Sequence, residues 1–238
     1  MIGPADLLTA WESGLAAGNL QRALLLHALA AGRPEAELLA VPVARRDADL
    51  LALRRALFGE RLPARMTCAG CDEELEVDME VTSLIGAGPA AGEPVTVASG
   101  PWRVRVRPPT PGDLLAVAGS ARAREALFAR CLLEAERDGE PAGAADLPAD
   151  VSAKAVAALA EADPCADIQL TVQCVRCGGP VRSALDVGSY LWAELDNWAR
   201  ATLLDIHLLA STYGWSEPDC LAVSPTRRRY YLELAGHA

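Results

Sequence analysis

Two short cysteine clusters, far apart in the chain, constrain its fold more than any other feature. Cys68-Ala69-Gly70-Cys71 and Cys174-Val175-Arg176-Cys177 each carry the C-x2-C spacing that lets two thiolates grip one metal ion from a tight turn. One such knuckle supplies two of the four ligands that tetrahedral zinc requires. Two supply all four and leave no coordination position open for water or substrate. Cys68, Cys71, Cys174 and Cys177 therefore read as a closed, structural Zn2+ site.

The flanks repeat. Gly70 lies within the first knuckle and Gly178-Gly179 follow the second, where a turn can demand positive φ. Glu74 to Val81 alternates polar and apolar residues at the period of a strand; Ile168 to Gln173 does the same, and Val181 to Val187 less cleanly. Ser83-Leu84-Ile85 follows one copy and Ser189-Tyr190-Leu191 the other. The pattern is a zinc ribbon split by 102 intervening residues (174 − 71 − 1), where contiguous ribbons bring the second pair within roughly 15–20. The competing readings are two ordinary buried cysteines and a redox C-x-x-C pair, but the redox motif belongs at a helix start in a βαβ pattern, which neither knuckle has.

The chain has 238 residues, of which 51% are hydrophobic, enough for a substantial core. Aromatics make up only 5%, so Leu, Val and Ala must fill most of it. A formal net charge of −10 argues against a nucleic-acid partner, since phosphate binding needs clustered Lys and Arg. Lys154 is the sole lysine. The N-terminus lacks the basic region of a signal peptide, and no apolar run reaches the length of a membrane span. Four of seven cysteines go to the metal site, leaving Cys131, Cys165 and Cys220 without assigned roles, in keeping with a reducing compartment.

The expected fold class is α+β, mostly helical, with helical N- and C-terminal segments around the split β element. Residues 1–60 read as helices (4–13, 20–31, 34–40 and 47–58), 61–188 as the ribbon with its insertion, and 189–238 as a long helix and tail, together one compact domain. Within the insertion, 86–94 reads as a small-residue linker and 94–107 as a β-hairpin. Helices are expected to 119 and from 122 to 137, a loop over 138–150, and a helix over 152–161. Leu191, Leu195, Trp198, Thr202, Ile206, Leu209 and Tyr213 form a buried stripe on a helix from 189 to about 213. His27 lies in an apolar stripe and reads as a satisfied core histidine.

Two surfaces are candidates for partner binding. Arg103, Arg105 and Arg107 fall on one strand face, read first as a solvated, aggregation-resistant edge and second as a dock for an acidic partner. Arg227, Arg228, Tyr230 and Tyr231 lie on the final helix, expected over 226–235. No P-loop, GxGxxG, HExxH or GxSxG motif is present, and no catalytic constellation argues for an enzyme.

Several segments together carry a family resemblance: Leu-Phe-Gly (57–59), the first C-x2-C, Trp-Arg-Val-Arg-Val-Arg-Pro-Pro-Thr (102–110), the second C-x2-C, Tyr-Leu-Trp-Ala-Glu-Leu-Asp-Asn-Trp-Ala (190–199), Tyr-Gly-Trp-Ser-Glu-Pro-Asp (213–219) and Leu-Ala-Val-Ser-Pro-Thr-Arg-Arg-Arg (221–229). The chain resembles the baseplate proteins related to T-even phage hub components, found in contractile-tailed phages and phage-like contractile injection systems. The resemblance spans nearly the whole chain. It implies a non-enzymatic baseplate subunit or hub-assembly factor, partnered by other baseplate, hub, spike or tube proteins, without nucleic acid, membrane or small-molecule substrate. The expected location is the bacterial cytoplasm or the assembled particle. The other readings are a zinc-ribbon adaptor or assembly chaperone unrelated to tails, and a cysteine-dependent enzyme using Cys68 or Cys174.

Overall fold

The computed structural model describes residues 2–85, 92–162 and 167–236. The fold is α+β and mostly helical, with small antiparallel sheets. In chain order, α1 (Pro4–Gly14), α2 (Asn19–Ala31), the single turn α3 (Glu35–Leu38) and α4 (Val43–Phe58) lead into a hairpin of β1 (Arg61–Thr67) and β2 (Glu74–Glu80). The short α5 (Val81–Ile85) follows. The insertion comprises β3 (Val95–Ser99), β4 (Trp102–Val106), α6 (Pro111–Val117), α7 (Ala123–Cys131), β5 (Leu132–Arg137), β6 (Glu140–Pro141) and α8 (Ala149–Ala162). A second hairpin, β7 (Gln169–Gln173) and β8 (Pro180–Ala184), precedes α9 (Val187–Tyr213), α10 (Glu217–Ala222) and α11 (Pro225–Leu234).

Three clusters of buried side chains hold these elements. The largest joins both ends of the chain: Leu7, Leu8 and Trp11 from α1, Leu26 from α2 and Leu50 from α4 pack on Leu191, Leu195, Ile206 and Leu209 of α9, with Leu232 of α11 closing the far end. The helix α9 has 27 residues, roughly 40 Å, long enough to serve as the shared spine. Close approach is bought with glycine here: a Cβ on Gly188 would lie 2.7 Å from the Ala23 Cβ where α2 crosses α9. A bidentate ion pair ties the same bundle together, Arg54 Nη2 and Nε donating to Glu194 at 2.7 and 2.9 Å while Nη1 donates to the Gly59 carbonyl.

The second cluster, Met66, Leu75, Leu170 and Val181 beneath Cys68 and Cys174, lies between the two hairpins. The third sits in the insertion, where α8 lays Val151 and Ala155 on Trp102, Val104 and Val106 of a sheet ordered β3-β4-β5-β6.

Several expectations are corrected. The helix foreseen over 122–137 stops at Cys131, and Leu132–Arg137 is a strand. Its Leu, Ala and Glu favour helix locally, but pairing with β4 (Val104 opposite Ala135) overrides that preference. Arg61–Thr67, not foreseen as a strand, pairs along its whole length with β2 despite Pro63. Asn19 is the first helical residue of α2, with Gly18 as the cap, and α4 begins at Val43 instead of 47. The 138–150 loop holds β6 and a 3-10 turn, Ala144–Asp146. Most of the 86–94 linker, and Cys165, lie outside the described residues.

Candidate metal centre

The four sulfurs foreseen as ligands converge. Each knuckle is the tip of one hairpin, and all four Sγ atoms lie within 4.8 Å of one another. Cys68 Sγ is 3.6 Å from Cys177 Sγ, and Cys71 Sγ is 3.6 Å from Cys174 Sγ. Four thiolates at about 2.3 Å from a tetrahedral ion stand about 3.8 Å apart along each edge, so the spacing matches a sulfur cage around one ion. The cluster can hold a metal ion.

The local chain folds each tip the same way. In the first, the Cys68 N–H donates to the Glu73 carbonyl (2.9 Å) and the Asp72 N–H to the Cys68 carbonyl (2.8 Å). In the second, the Cys174 N–H donates to the Gly179 carbonyl (2.9 Å) and the Gly178 N–H to the Cys174 carbonyl (2.9 Å). The residue that reverses the chain has positive φ in both, Asp72 at 57° and Gly178 at 71°. Glycine adopts this freely, and aspartate is among the few other residues that tolerate it. Equivalent residues sit 106 positions apart (174 − 68 and 178 − 72), and the offset also matches Val81 to Val187, each the buried first residue of the following helix. The cross-pairing of sulfurs, first cysteine of one tip with second of the other in both cases, is the pattern of a local two-fold axis through the ion site.

Burial follows the same symmetry. Cys68 and Cys174 are buried at 3% and 2% exposure, whereas Cys71 is half-buried and Cys177 exposed. Backbone N–H groups within the second knuckle, that of Cys177 foremost, draw the Cys174 thiol down to about 7. The Glu73 N–H pulls on Cys71 in the same direction, but burial and the adjoining sulfurs outweigh it and push that thiol up to about 12. Four thiols this close resist carrying four negative charges together. A bound cation removes that conflict, which is the electrostatic reason such a cluster favours metal. Arg176 reaches across from the second tip, 3.5 Å from the Cys71 carbonyl and from Glu73 Oε2. Sequence reading missed that clasp, whose only signal was an arginine inside a knuckle.

The proposed partner residues separate. Arg103 and Arg105 are exposed, as foreseen, but β4 is an inner strand paired with both β3 and β5, so the sheet edge expected there is not an edge. Arg107 is not part of that surface: it donates to Asp113 Oδ2 (2.6 Å) and Oδ1 (3.1 Å) and to the Arg130 carbonyl (3.0 Å). Asp113 is 2% exposed, also accepts from Arg130 Nε (3.0 Å) and from the backbone N–H and hydroxyl of Thr110, and closes the capping box of α6. The Arg107 guanidinium holds its carboxyl well below the usual carboxylate range. On α11, Arg227 and Tyr230 face outward, but Arg228 is 5% exposed and lies 3.7 Å from Asp205 of α9. Tyr231 is half-buried against Trp215 (4.9 Å between ring centroids) and Tyr213. Helical spacing turns 228 and 231 toward the bundle and 227 and 230 away from it.

His27 is buried, and its Nε2 lies 3.2 Å from Asp49 Oδ2, but Nδ1 has no partner among the described residues, so only half of the expected satisfaction is present. Burial lowers its pKa. An open cleft of about 730 Å³ beside the first hairpin holds three arginines, each already paired: Arg54 with Glu194, Arg61 with Asp78, Arg65 with Glu76. Among the described residues, no helix is long and apolar enough to cross a membrane. No protein-family profile, curated protein or solved structure matches the chain.

Proposed function

We propose that this chain is a structural or assembly component of the baseplate of a contractile phage tail or phage-like injection system, stapled by one structural Zn2+. The observation that carries the reading is the sulfur cage: four cysteines from two hairpins, mutually within 4.8 Å. Such a donor set favours a soft, tetrahedral, redox-silent ion with every coordination position filled by protein. Bound there, zinc supplies no reaction; it supplies cross-linking. Cys68 and Cys71 hold one hairpin, Cys174 and Cys177 the other, and the ion fixes β2 and β8 so that α5 and α9 leave the site in set directions.

The tail assignment rests on the resemblance to T-even-like hub proteins, carried mostly by the Tyr-Gly-Trp-Ser-Glu segment (213–217) and the paired knuckles, with the 102–110, 190–199 and 221–229 segments beside them. A rigid, acidic, metal-stapled body with an inserted sheet suits a part that positions neighbours. Its partners on this reading are baseplate, hub, spike or tube proteins. The test is imaging of tail particles from a strain carrying a tagged copy, beside a strain lacking the gene. Label at the baseplate, or tails without baseplates in the deletion, supports the proposal. Complete, contractile particles that never contained the chain would refute it.

A further inference from the structure

The sheet in the insertion has one guarded edge and one open edge. The guarded edge is β6, two residues long and ending in Pro141, two devices that discourage strand pairing. The open edge is β3, Val95-Thr96-Val97-Ala98-Ser99, with no charge and no proline. Among the described residues no strand pairs with its outer side.

Register fixes what that side offers. On β4, the Pro101 carbonyl accepts from the Asp138 N–H (2.8 Å) and the Arg107 N–H donates to the Cys131 carbonyl (2.9 Å), so odd-numbered backbone groups face β5. Even-numbered groups of β4 then face β3, where Ser99, Val97 and Val95 oppose Trp102, Val104 and Val106. The N–H and C=O groups of Thr96 and Ala98 are left pointing outward, a ladder for one more strand. The side chains agree: Val104 and Val106 are 0% exposed under α8, but Val95 and Val97 on β3 are only half-buried.

Charge selects the occupant. The outer face of β3 carries small side chains, Thr96 and Ala98, and the next strand carries Arg105 and Arg103 opposite them. Over such small neighbours an arginine side chain spans to the strand beyond. On the inner side of the same face β5 sets Glu136 opposite Arg103 and Glu134 opposite Arg105; Arg105 pairs with Glu134 at 3.4 Å, and Arg103 has no ion pair or hydrogen bond among the described residues. On the opposite, Val95/Val97 face, Lys154 of α8 is held at the end of the strand by Ser99 Oγ (2.7 Å). A second copy is disfavoured, because β3 has no carboxylate and a two-fold pairing would place both sets of arginines on one face.

We infer that β3 takes an added strand from another protein, an extended segment with acidic residues on the Arg103 side and apolar residues on the Val95/Val97 side. The backbone ladder supplies affinity and the alternating faces supply selection. The site holds whether or not the chain belongs to a tail.

The experiment uses the metal-loaded full chain and a short fluorescent peptide of alternating valine and glutamate, with the valine–lysine version as its control. The acidic peptide binds and the basic one does not. Thr96→Pro removes an outward N–H that the fold does not use and weakens binding about tenfold. Arg103→Gln weakens it about fivefold, removing the charge without setting a second carboxylate opposite Glu136, and so keeps the test valid should the proline variant fail to fold. Absence of binding, equal binding of both peptides, or binding unchanged by both substitutions overturns the inference. So does self-association of the chain that Thr96→Pro abolishes, which would assign the edge to a second copy.

Discussion

Asp113 is the electrostatic pin of the insertion, and replacing it with Asn tests that directly. Its carboxylate accepts two bonds from Arg107 and one from Arg130 and is 2% exposed, so burial without these partners would be costly. Bonds to charged groups contribute about 1.5–3 kcal/mol each, but Arg107 and Arg130 are 30% and 47% exposed and recover water when released. Discounting by about half, Asp113→Asn costs about 3 kcal/mol. For a chain of this length that lowers Tm by roughly 6–12 °C. The pH dependence has a definite sign. The folded pKa lies below the unfolded one, so the stabilisation is complete above the unfolded value, near 4, and disappears as pH falls through the folded value. Urea unfolding of the metal-loaded protein and the variant at several pH values reads both quantities. The difference between them is expected to be constant from pH 7 to about pH 5 and to shrink only below the ordinary aspartate range. A loss under about 1 kcal/mol, or a difference that closes already between pH 7 and 5, refutes the pin.

Metal removal has a regional signature. Isolated two-stranded hairpins are marginal in water, and the cluster beneath the knuckles has six buried residues among those described, two of them knuckle cysteines. Chelation should therefore release amide protection across Arg61–Glu80 and Gln169–Ala184 while α2, α4 and the middle of α9 stay protected, as read by hydrogen exchange. Gly188→Ala drives a methyl to 2.7 Å from the Ala23 Cβ and is expected to destabilise by about 1–3 kcal/mol, measured by denaturant unfolding; a neutral result would mean that α2 and α9 cross less closely.

The four-cysteine cluster was legible because C-x2-C is a local pattern and its duplication appears in the strands around it. Helix limits written in short-range chemistry were legible too: Thr110, Ser216 and Ser224 cap α6, α10 and α11 as their sequences suggest. Non-local pairing was not. Leu132–Arg137 carries helix-forming residues and becomes a strand only because β4 needs a neighbour. Arg61–Thr67, interrupted by Pro63, becomes one because β2 does. The arginine repeat at 103, 105 and 107 hid a division: two side chains face solvent, and the third turns onto an aspartate six residues on. Nothing in the spacing of Arg227 to Tyr231 announced that Asp205 and Trp215 wait beneath two of them.

The claim on which the rest depends is that one ion sits among Cys68, Cys71, Cys174 and Cys177 with no ligand from solvent. Zinc X-ray absorption on the purified chain, alongside elemental analysis, measures it. The expected result is one zinc per chain with four sulfurs at about 2.3 Å and no lighter atom in the coordination shell. A shell with fewer sulfurs and an oxygen or nitrogen, or a folded protein with protected hairpins and no metal at all, would contradict it.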